Sequence, residues 1–308
     1  RMRRLTAALG NPQDKLRFIH LAGTNGKGST AAILDSVLRS AGYQTGLFTS
    51  PYLEDYCERI RLGGKNIPHE ALAGLTGELK QAVDAAVSDG MEAPHEFELT
   101  ALLALMYYSR CGCDLVIWET GLGGRLDASN VIGPPLCAVI TSLSYDHMQQ
   151  LGSTLDLIAE QKCGIIKAGS AAVVSAKQSD EAMQVIQKHC QEKGVPLMPP
   201  VNLTDISVDL DGCRFTYNGL PLRLPLLGEH QLENASVALR VIEVLQNEGF
   251  KISGEAIADG LQLTRWPGRL ELVSANPQIV IDSAHNRGGV EALSRCIDTL
   301  FAGRRITA

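Results

Sequence analysis

The feature that most constrains this chain is a glycine-rich stretch, residues 20–30 (HLAGTNGKGST), between a predicted strand and a predicted helix. Residues 17–21 form a short apolar run typical of a buried strand, and residues 31–38 repeat apolar side chains at helical spacing. Glycines let several backbone N–H groups face one anion, the helix N-terminus adds partial positive charge, and Lys27 supplies a full charge. The stretch predicts a phosphate-binding loop, and an ordinary glycine-rich turn is the alternative.

The loop departs from the consensus G-x-x-x-x-G-K-[ST] at two points. Leu21 stands where the first glycine is expected, and Gly28 separates Lys27 from the hydroxyl of Ser29. The order of strand, lysine, hydroxyl and helix is nevertheless kept, so we retain the phosphate-loop interpretation.

Composition limits the classes of protein that remain. The chain has 308 residues, 45% hydrophobic and 20% charged, which is enough for a sizeable core and favours two domains. A net charge of -6 argues against non-specific binding to nucleic acid or to an anionic membrane surface. No apolar run is long enough to span a bilayer, and the eight cysteines show no zinc-site spacing. We therefore expect reduced thiols, a cytoplasmic location and a monomer.

Predicted strands and helices alternate along the chain. Strands are predicted at 17–21, 43–51, 114–120, 137–142 and 171–175, with a β-hairpin region at 207–226; helices are predicted at 68–88, 96–110, 153–163, 179–192, 230–247 and 253–263. Such alternation predicts an α/β fold with a mostly parallel sheet and helices on both faces.

A break at residues 265–269 divides the chain into two expected parts. Residues 1–266 are predicted to form the phosphate-loop domain, and 267–308 to begin a second, Rossmann-like α/β domain that is incomplete here. The true start is expected upstream of Arg1.

Polar side chains follow four of the predicted strands. Lys27 with Ser29, then Ser50, Glu119 and His147 stand at or just beyond strand ends. The carboxyl ends of parallel strands share one edge, so these groups should converge. A hydroxyl and a carboxylate beside phosphates are suitable Mg²⁺ ligands, which predicts a metal–nucleotide site there.

Eight motifs in order resemble those of the folylpolyglutamate synthase/dihydrofolate synthase family, relatives of the Mur ligases. They are GTNGKGS at 23–29, TSP at 49–51, ETGLGGRLDA at 119–128, DH at 146–147, KCGIIK at 162–167, HQ with Asn234 at 230–234, PGR at 267–269 and DSAHN at 282–286. The resemblance implies a phosphate-loop ligase that adds L-glutamate to dihydropteroate, to the γ-carboxylate of folate, or to both, through an acyl phosphate. It further implies that residues 1–266 are the ATP-binding domain, and that a protein ending at Ala308 would bind ATP but form little ligation product.

The resemblance also implies roles for individual residues. It implies that ATP binds at Asn25, Gly26, Lys27, Gly28, Ser29, Asn234, Arg269 and Asp282. Two Mg²⁺ sites are implied, with Ser50 and Glu119 at the first and His147 at the second. Lys162 corresponds to a lysine that is carbamylated in the family, and as a carbamate it is the fourth implied metal ligand. Lys27, His147 and Lys162 are the implied catalytic residues.

The pterin substrate is expected at two short segments. The resemblance places it at Phe97, Glu98, Leu126, Asp127 and Ala128.

Two alternative functions of the chain stay open: a Mur-type amino-acid ligase of cell-wall synthesis, and an ATP-binding module without ligase activity. The sequence does not decide the pterin acceptor or the length of the glutamate tail.

Overall fold

The computed structural model describes residues 1–307. An eight-stranded sheet forms its centre, with β1 (Phe18–Ala22), β2 (Thr45–Phe48), β3 (Ile60–Leu62), β4 (Lys65–Asn66), β5 (Leu115–Glu119), β6 (Cys137–Ile140), β7 (Ala171–Val174) and β8 (Leu197–Met198) in the order β4-β3-β2-β5-β1-β6-β7-β8. The strands from β2 to β8 in this order run parallel, whereas β3 and β4 pair antiparallel at one edge. The predicted mostly parallel sheet is confirmed.

Helices cover both faces of this sheet. The helices are α1 (Met2–Ala8), α2 (Lys27–Ser40), α3 (His69–Ser88), α4 (Glu96–Cys111), α5 (Met148–Leu151), α6 (Leu155–Lys162), α7 (Asp180–Lys193), α8 (His230–Asn247), α9 (Gly254–Leu263) and α10 (Arg287–Leu300). Helices α2, α8 and α9 share one core with Ile19 and Leu21 of β1. Phe18 and Ala22 point to the opposite face, where α1, α3 and α4 cover one half and α6 and α7 the other. This alternation follows from the two-residue period of a strand.

The central strands are apolar along their whole length because both faces are covered. All five residues of β1 and all five of β5 are buried. Parallel sheets have this character because crossover helices pack on both sides. The residue that follows each of these strands therefore lies at the carboxyl edge of the sheet, where the buried core ends and the connecting loops begin.

Two smaller sheets complete the fold. Strands β9 (Thr204–Asp209), β10 (Gly212–Tyr217) and β11 (Leu220–Leu224) form an antiparallel sheet whose Phe215 and Leu222 join the core beneath α8 and α9. Strands β12 (Glu271–Ala275) and β13 (Gln278–Ile281) form an antiparallel pair followed by α10. Leu227, Leu270 and Cys296 make a separate small apolar cluster there.

Several element boundaries differ from prediction. The strand expected at 43–51 is confined to Thr45–Phe48, because only these residues pair with β5 and the chain then turns at Ser50 and Pro51. The hairpin expected at 207–226 has a third strand, β9, whose residues are exposed except for the half-buried Val208, so that it carries little apolar signal. Helix α2 begins at Lys27 rather than near residue 31, so the loop lysine lies within its first turn.

Candidate active site

A cavity of about 720 Å³ lies at the carboxyl edge of the large sheet. It brings together all eight residues expected at ATP and all four expected at metal: Asn25, Gly26, Lys27, Gly28, Ser29, Asn234, Arg269, Asp282, Ser50, Glu119, His147 and Lys162. These residues are drawn from many different segments of the chain. Convergence of the strand-end residues, which the sequence predicts, is what the parallel topology produces.

The phosphate loop is held by short contacts to β6 and to its own lysine. Backbone N–H groups of Thr24 and Asn25 both donate to the carbonyl of Ser142, just beyond β6. Lys27 Nζ donates to the carbonyls of Gly23 and Thr24, at 3.1 and 3.3 Å. The ammonium is therefore folded back over the loop, at the place where anionic ligand oxygens would compete with those carbonyls for its protons.

Two loop positions require glycine. Gly26 has φ +88°, and a Cβ there would stand 2.4 Å from Oδ1 of Asn234. Gly28 has no special backbone angle, but a Cβ would meet the indole of Trp266 at 2.8 Å. Side chains from α8 and from the 265–269 segment thus approach the loop backbone as closely as its glycines allow.

Glu119 is a buried carboxylate at the end of β5. One of its oxygens accepts the N–H of Ser50 at 3.2 Å, and the other lies 3.8 Å from Lys27 Nζ. Burial raises the pKa of Glu119, and Lys27 opposes that shift. One N–H group and one ammonium at 3.8 Å offset only part of the cost of burying this negative charge, so the carboxylate is suited to binding an additional cation.

Lys162 ends α6 and is buried beside the loop. It is 4% exposed, and its Nζ donates to the carbonyl of Gly23 at 2.6 Å. Burial, helped by the charge of Lys27, lowers the pKa of Lys162 to about 7. A substantial share of this amine is therefore neutral, and so nucleophilic, near neutral pH.

His147 lies at the rim rather than in the depth of the cavity. Its side chain is 53% exposed, its backbone is left-handed with φ +47°, and Nε2 stands 3.7 Å from Asp146. Asp146 also accepts the side-chain N–H of Asn286 at 2.9 Å. The imidazole is thus free to turn towards a ligand without breaking a buried contact.

The residues expected at the pterin divide into two groups. Phe97 and Asp127 line the cavity, and Asp127 accepts the N–H groups of Leu122 and Ser129. Glu98, Leu126 and Ala128 do not line it. Glu98 instead caps α4 at His95 and accepts Arg1, Leu126 is 88% exposed, and Ala128 is buried in the core.

Sequence reasoning missed two contacts that shape the cavity. Trp266 packs on Gly28, and the guanidinium of Arg61 lies 5.3 Å from the Trp266 ring centroid. Asn286 exchanges two hydrogen bonds of 3.1 Å with Asn25, which ties α10 to the loop. Trp266 lies in the predicted break at 265–269 and Asn286 ends the DSAHN motif, but nothing in their spacing indicates these partners.

The comparisons with known proteins agree with this geometry. Residues 21–242 match the Mur ligase middle domain, which places the chain in the Mur ligase class. The chain is 41% identical to the dihydrofolate synthase/folylpolyglutamate synthase of Bacillus subtilis, over 100% of this chain and 73% of that relative. It belongs to the folylpolyglutamate synthase/dihydrofolate synthase family.

Solved structures agree at the level of the backbone. The chain is similar to a folylpolyglutamate synthase solved with AMPPCP and folate, with a TM-score of 0.93, 33% identity, and coverage of 98% of this chain and 76% of that one. It is also similar to the Mycobacterium tuberculosis folylpolyglutamate synthase complexed with ADP and AMPPCP, with a TM-score of 0.88, 32% identity, and coverage of 97% and 70%. Among the helices of residues 1–307, none has the length and apolar character that crossing a bilayer requires.

Proposed function

We propose that this chain is an ATP-dependent ligase that joins L-glutamate to dihydropteroate, to the γ-carboxylate of folate, or to both. The observation that carries the proposal is that Lys27, Glu119 and Lys162 line one cavity together with the phosphate loop. The relatives named above are called dihydrofolate synthase and folylpolyglutamate synthase, which favours folate chemistry over a cell-wall substrate.

The residues of the loop are suited to binding and orienting a triphosphate. Lys27 would exchange its two carbonyl acceptors for phosphate oxygens, and the N-terminus of α2 would add its partial positive charge. Phosphoryl transfer to a carboxylate depends mainly on positioning and on neutralised charge. The acyl phosphate formed in this way is attacked by the α-amine of glutamate, and phosphate leaves.

The side chains of the cavity fit two Mg²⁺ sites, the second of which needs a modified lysine. Ser50 offers a hydroxyl and Glu119 a carboxylate as oxygen ligands, and the two residues are neighbours because the backbone N–H of Ser50 donates to the Glu119 carboxylate at 3.2 Å. When bound, Mg²⁺ neutralises phosphate charge. His147 and Lys162, the latter as a carbamate, would hold a second ion. A carbamate turns the partly neutral amine of Lys162 into an oxygen-ligand anion, and the lowered pKa supports that reaction with CO₂.

The domain boundary is also part of the proposal. We place the ATP-binding unit in residues 1–266 and a second unit from residue 267. Supporting this, β12, β13 and α10 pack in a small apolar cluster around Leu270 and Cys296, which Leu227 of the first unit also joins, and Asn286 hydrogen-bonds to Asn25 of the loop. Arg269 and Asp282 reach the cavity from this second unit, and Asp282 holds the N–H of Leu270 at 2.8 Å.

The decisive test measures glutamate incorporation with dihydropteroate and with a reduced folate, each with ATP and Mg²⁺. Incorporation that requires one of the two pterins supports the proposal and identifies the acceptor. ATP turnover that needs neither pterin nor glutamate would favour an ATP-binding module instead.

Lys27→Ala tests the phosphate loop. We expect ATP affinity to fall about tenfold or more, because the variant removes the ammonium that lies folded over the loop, at the carbonyls of Gly23 and Thr24. Isothermal titration with ATP measures the change. Lys188→Ala is the matched control, since Lys188 is a 74% exposed helix lysine paired only with Glu192. Equal ATP affinity in Lys27→Ala and wild type would contradict the assignment.

Lys162 carbamylation is tested by ¹³C NMR under ¹³CO₂. We expect one carbamate resonance, absent from Lys162→Arg, whose guanidinium does not react. Lys167→Arg is the control, because the Lys167 pKa is also lowered, to about 8, but its amine donates to the carbonyls of Asn130 and Ile132. If the resonance were lost in Lys167→Arg and kept in Lys162→Arg, the carbamate would be on Lys167, and the proposal for Lys162 would be wrong.

A further inference from the structure

A second cluster of metal-ligand residues lies outside the cavity. Asp55, Cys57 and His69 each offer one ligand atom, and these atoms lie within 4.8 Å of one another. Asp55 caps the short 3-10 helix Tyr56–Arg59, Cys57 is within it, and His69 is the first residue of α3. The cluster therefore joins two elements that the chain separates by β3 and β4.

The separations within the cluster suit a tetrahedral metal. Cys57 Sγ lies 3.5 Å from His69 Nδ1, and His69 Nε2 lies 3.3 Å from Asp55 Oδ2. Two ligands on a tetrahedral Zn²⁺ are about 3.6 Å apart for sulfur and nitrogen, given bond lengths near 2.3 and 2.1 Å. The two pairs use different ring nitrogens, but the His69 side chain is 79% exposed and can shift until one nitrogen serves both.

The cluster is also anchored from within. Asp55 Oδ1 accepts the N–H of Cys57 at 2.8 Å, so the carboxylate and the thiol are held on one turn. Cys57 is 1% exposed, which fixes the sulfur in place. Burial raises the pKa of the free thiol, and Asp55 adds to this, so a metal must displace a proton here.

We propose that Asp55, Cys57 and His69 form a binding site for a thiophilic divalent metal such as Zn²⁺, with water as the fourth ligand. Sulfur, imidazole and carboxylate together select such a metal over Mg²⁺, which prefers oxygen. The metal fastens the Tyr56–Arg59 turn to the start of α3. Arg59, at the end of that turn, lines the active-site cavity, so this fastening holds one wall of the cavity.

The test is a titration of the protein with Co²⁺ in excess Mg²⁺, followed by absorption. Saturable growth of a thiolate-to-cobalt charge-transfer band at one equivalent is expected. The band reports on sulfur, and among the residues that line the active-site cavity in the described chain none is a cysteine. Binding of Co²⁺ in the cavity therefore gives no such band.

Three variants decide whether the band belongs to this cluster. Cys57→Ser should abolish it, and His69→Gln, at an exposed position that folding tolerates, should weaken Co²⁺ binding about tenfold or more. Cys111→Ser is the control, since Cys111 is the exposed cysteine, and should leave the band unchanged. Zn²⁺ should raise the melting temperature of wild type but not of Cys57→Ser. A band that persists in Cys57→Ser, or no saturable band in wild type, overturns the proposal.

Discussion

Two lysines share one acceptor at the base of the cavity. Lys27 and Lys162 both donate to the carbonyl of Gly23, at 3.1 and 2.6 Å. Burial, with the nearby charge of Lys27 as the second cause, lowers the pKa of Lys162 to about 7. Lys162 is therefore a partly neutral amine beside the ammonium of Lys27, which gives two lysines of the same site different chemistry.

The lowered pKa of Lys162 makes stability depend on pH. The folded pKa is about 7, whereas an unfolded lysine titrates at about 10.4. Between these values the unfolded chain holds a proton that the folded chain does not, so the free energy of unfolding rises with pH. From pH 7 to pH 9 we expect wild type to gain about 2 kcal/mol relative to Lys162→Met, which has no amine to titrate.

Urea unfolding at the two pH values, in buffer depleted of CO₂, measures this gain. CO₂ is removed because carbamylation of Lys162 would convert the amine whose titration is being measured. Equal pH dependence in wild type and Lys162→Met would show that the amine is charged in the folded protein.

At the scale of elements, helices α2 and α9 pack with their backbones in close approach. The Ser36 hydroxyl donates to the carbonyl of Gly260 at 2.6 Å, and a Cβ on Gly260 would stand 2.3 Å from the Cα of Val37. Helix α2 carries Lys27 in its first turn, so its position sets that of the phosphate loop. The packing beneath the loop is therefore part of the site's geometry.

Gly260→Ala should force the two helices apart. We expect a loss of about 1–3 kcal/mol in the free energy of unfolding, because the added methyl meets backbone atoms. Gly77→Ala is the control: Gly77 is also inside a helix, α3, but a Cβ there meets nothing within 4 Å. That change should stabilise by about 0.5–1 kcal/mol. Chemical denaturation of both variants checks the pair, and equal effects would mean that the α2–α9 contact is not tight.

At the scale of the whole molecule, the segment from residue 267 is fastened to the sheet edge by few polar groups. Asn286 exchanges hydrogen bonds with Asn25 and donates to Asp146. It also caps α10 by accepting the N–H of Gly289 at 2.9 Å. One side chain thus joins the phosphate loop, the segment after β6 and the last helix.

Asn286→Asp separates the capping of α10 from the hydrogen-bonded bridge to Asn25 and Asp146. The carboxylate keeps an acceptor for the cap of α10 but loses the donor to Asp146 and places a like charge beside it. We expect faster amide hydrogen exchange across residues 271–300, with helix α10 retained. Asn286→Ala, which removes cap and bridge together, should exchange faster still. Unchanged exchange in Asn286→Asp would show that the bridge does not hold the segment.

The sequence by itself determined the helices and strands, and that the candidate site residues lie at the carboxyl edge of the parallel sheet. Apolar runs such as residues 114–120 predict buried strands because a covered sheet tolerates no polar face, and parallel strands share one carboxyl edge. The phosphate loop and the convergence of Ser50, Glu119 and His147 on the cavity were accessible by that route, whereas the place of Lys162 came only from the family resemblance. The family followed from motif order.

Only the tertiary structure decided how these parts act on one another. The packing of Trp266 on Gly28, the bridge through Asn286 and the burial that lowers the Lys162 pKa all join residues far apart in the chain. The same holds for Glu98, which caps α4 and pairs with Arg1 rather than lining the cavity. Periodicity reports which face of an element is buried, whereas partners and electrostatic shifts depend on distances that only the folded chain fixes.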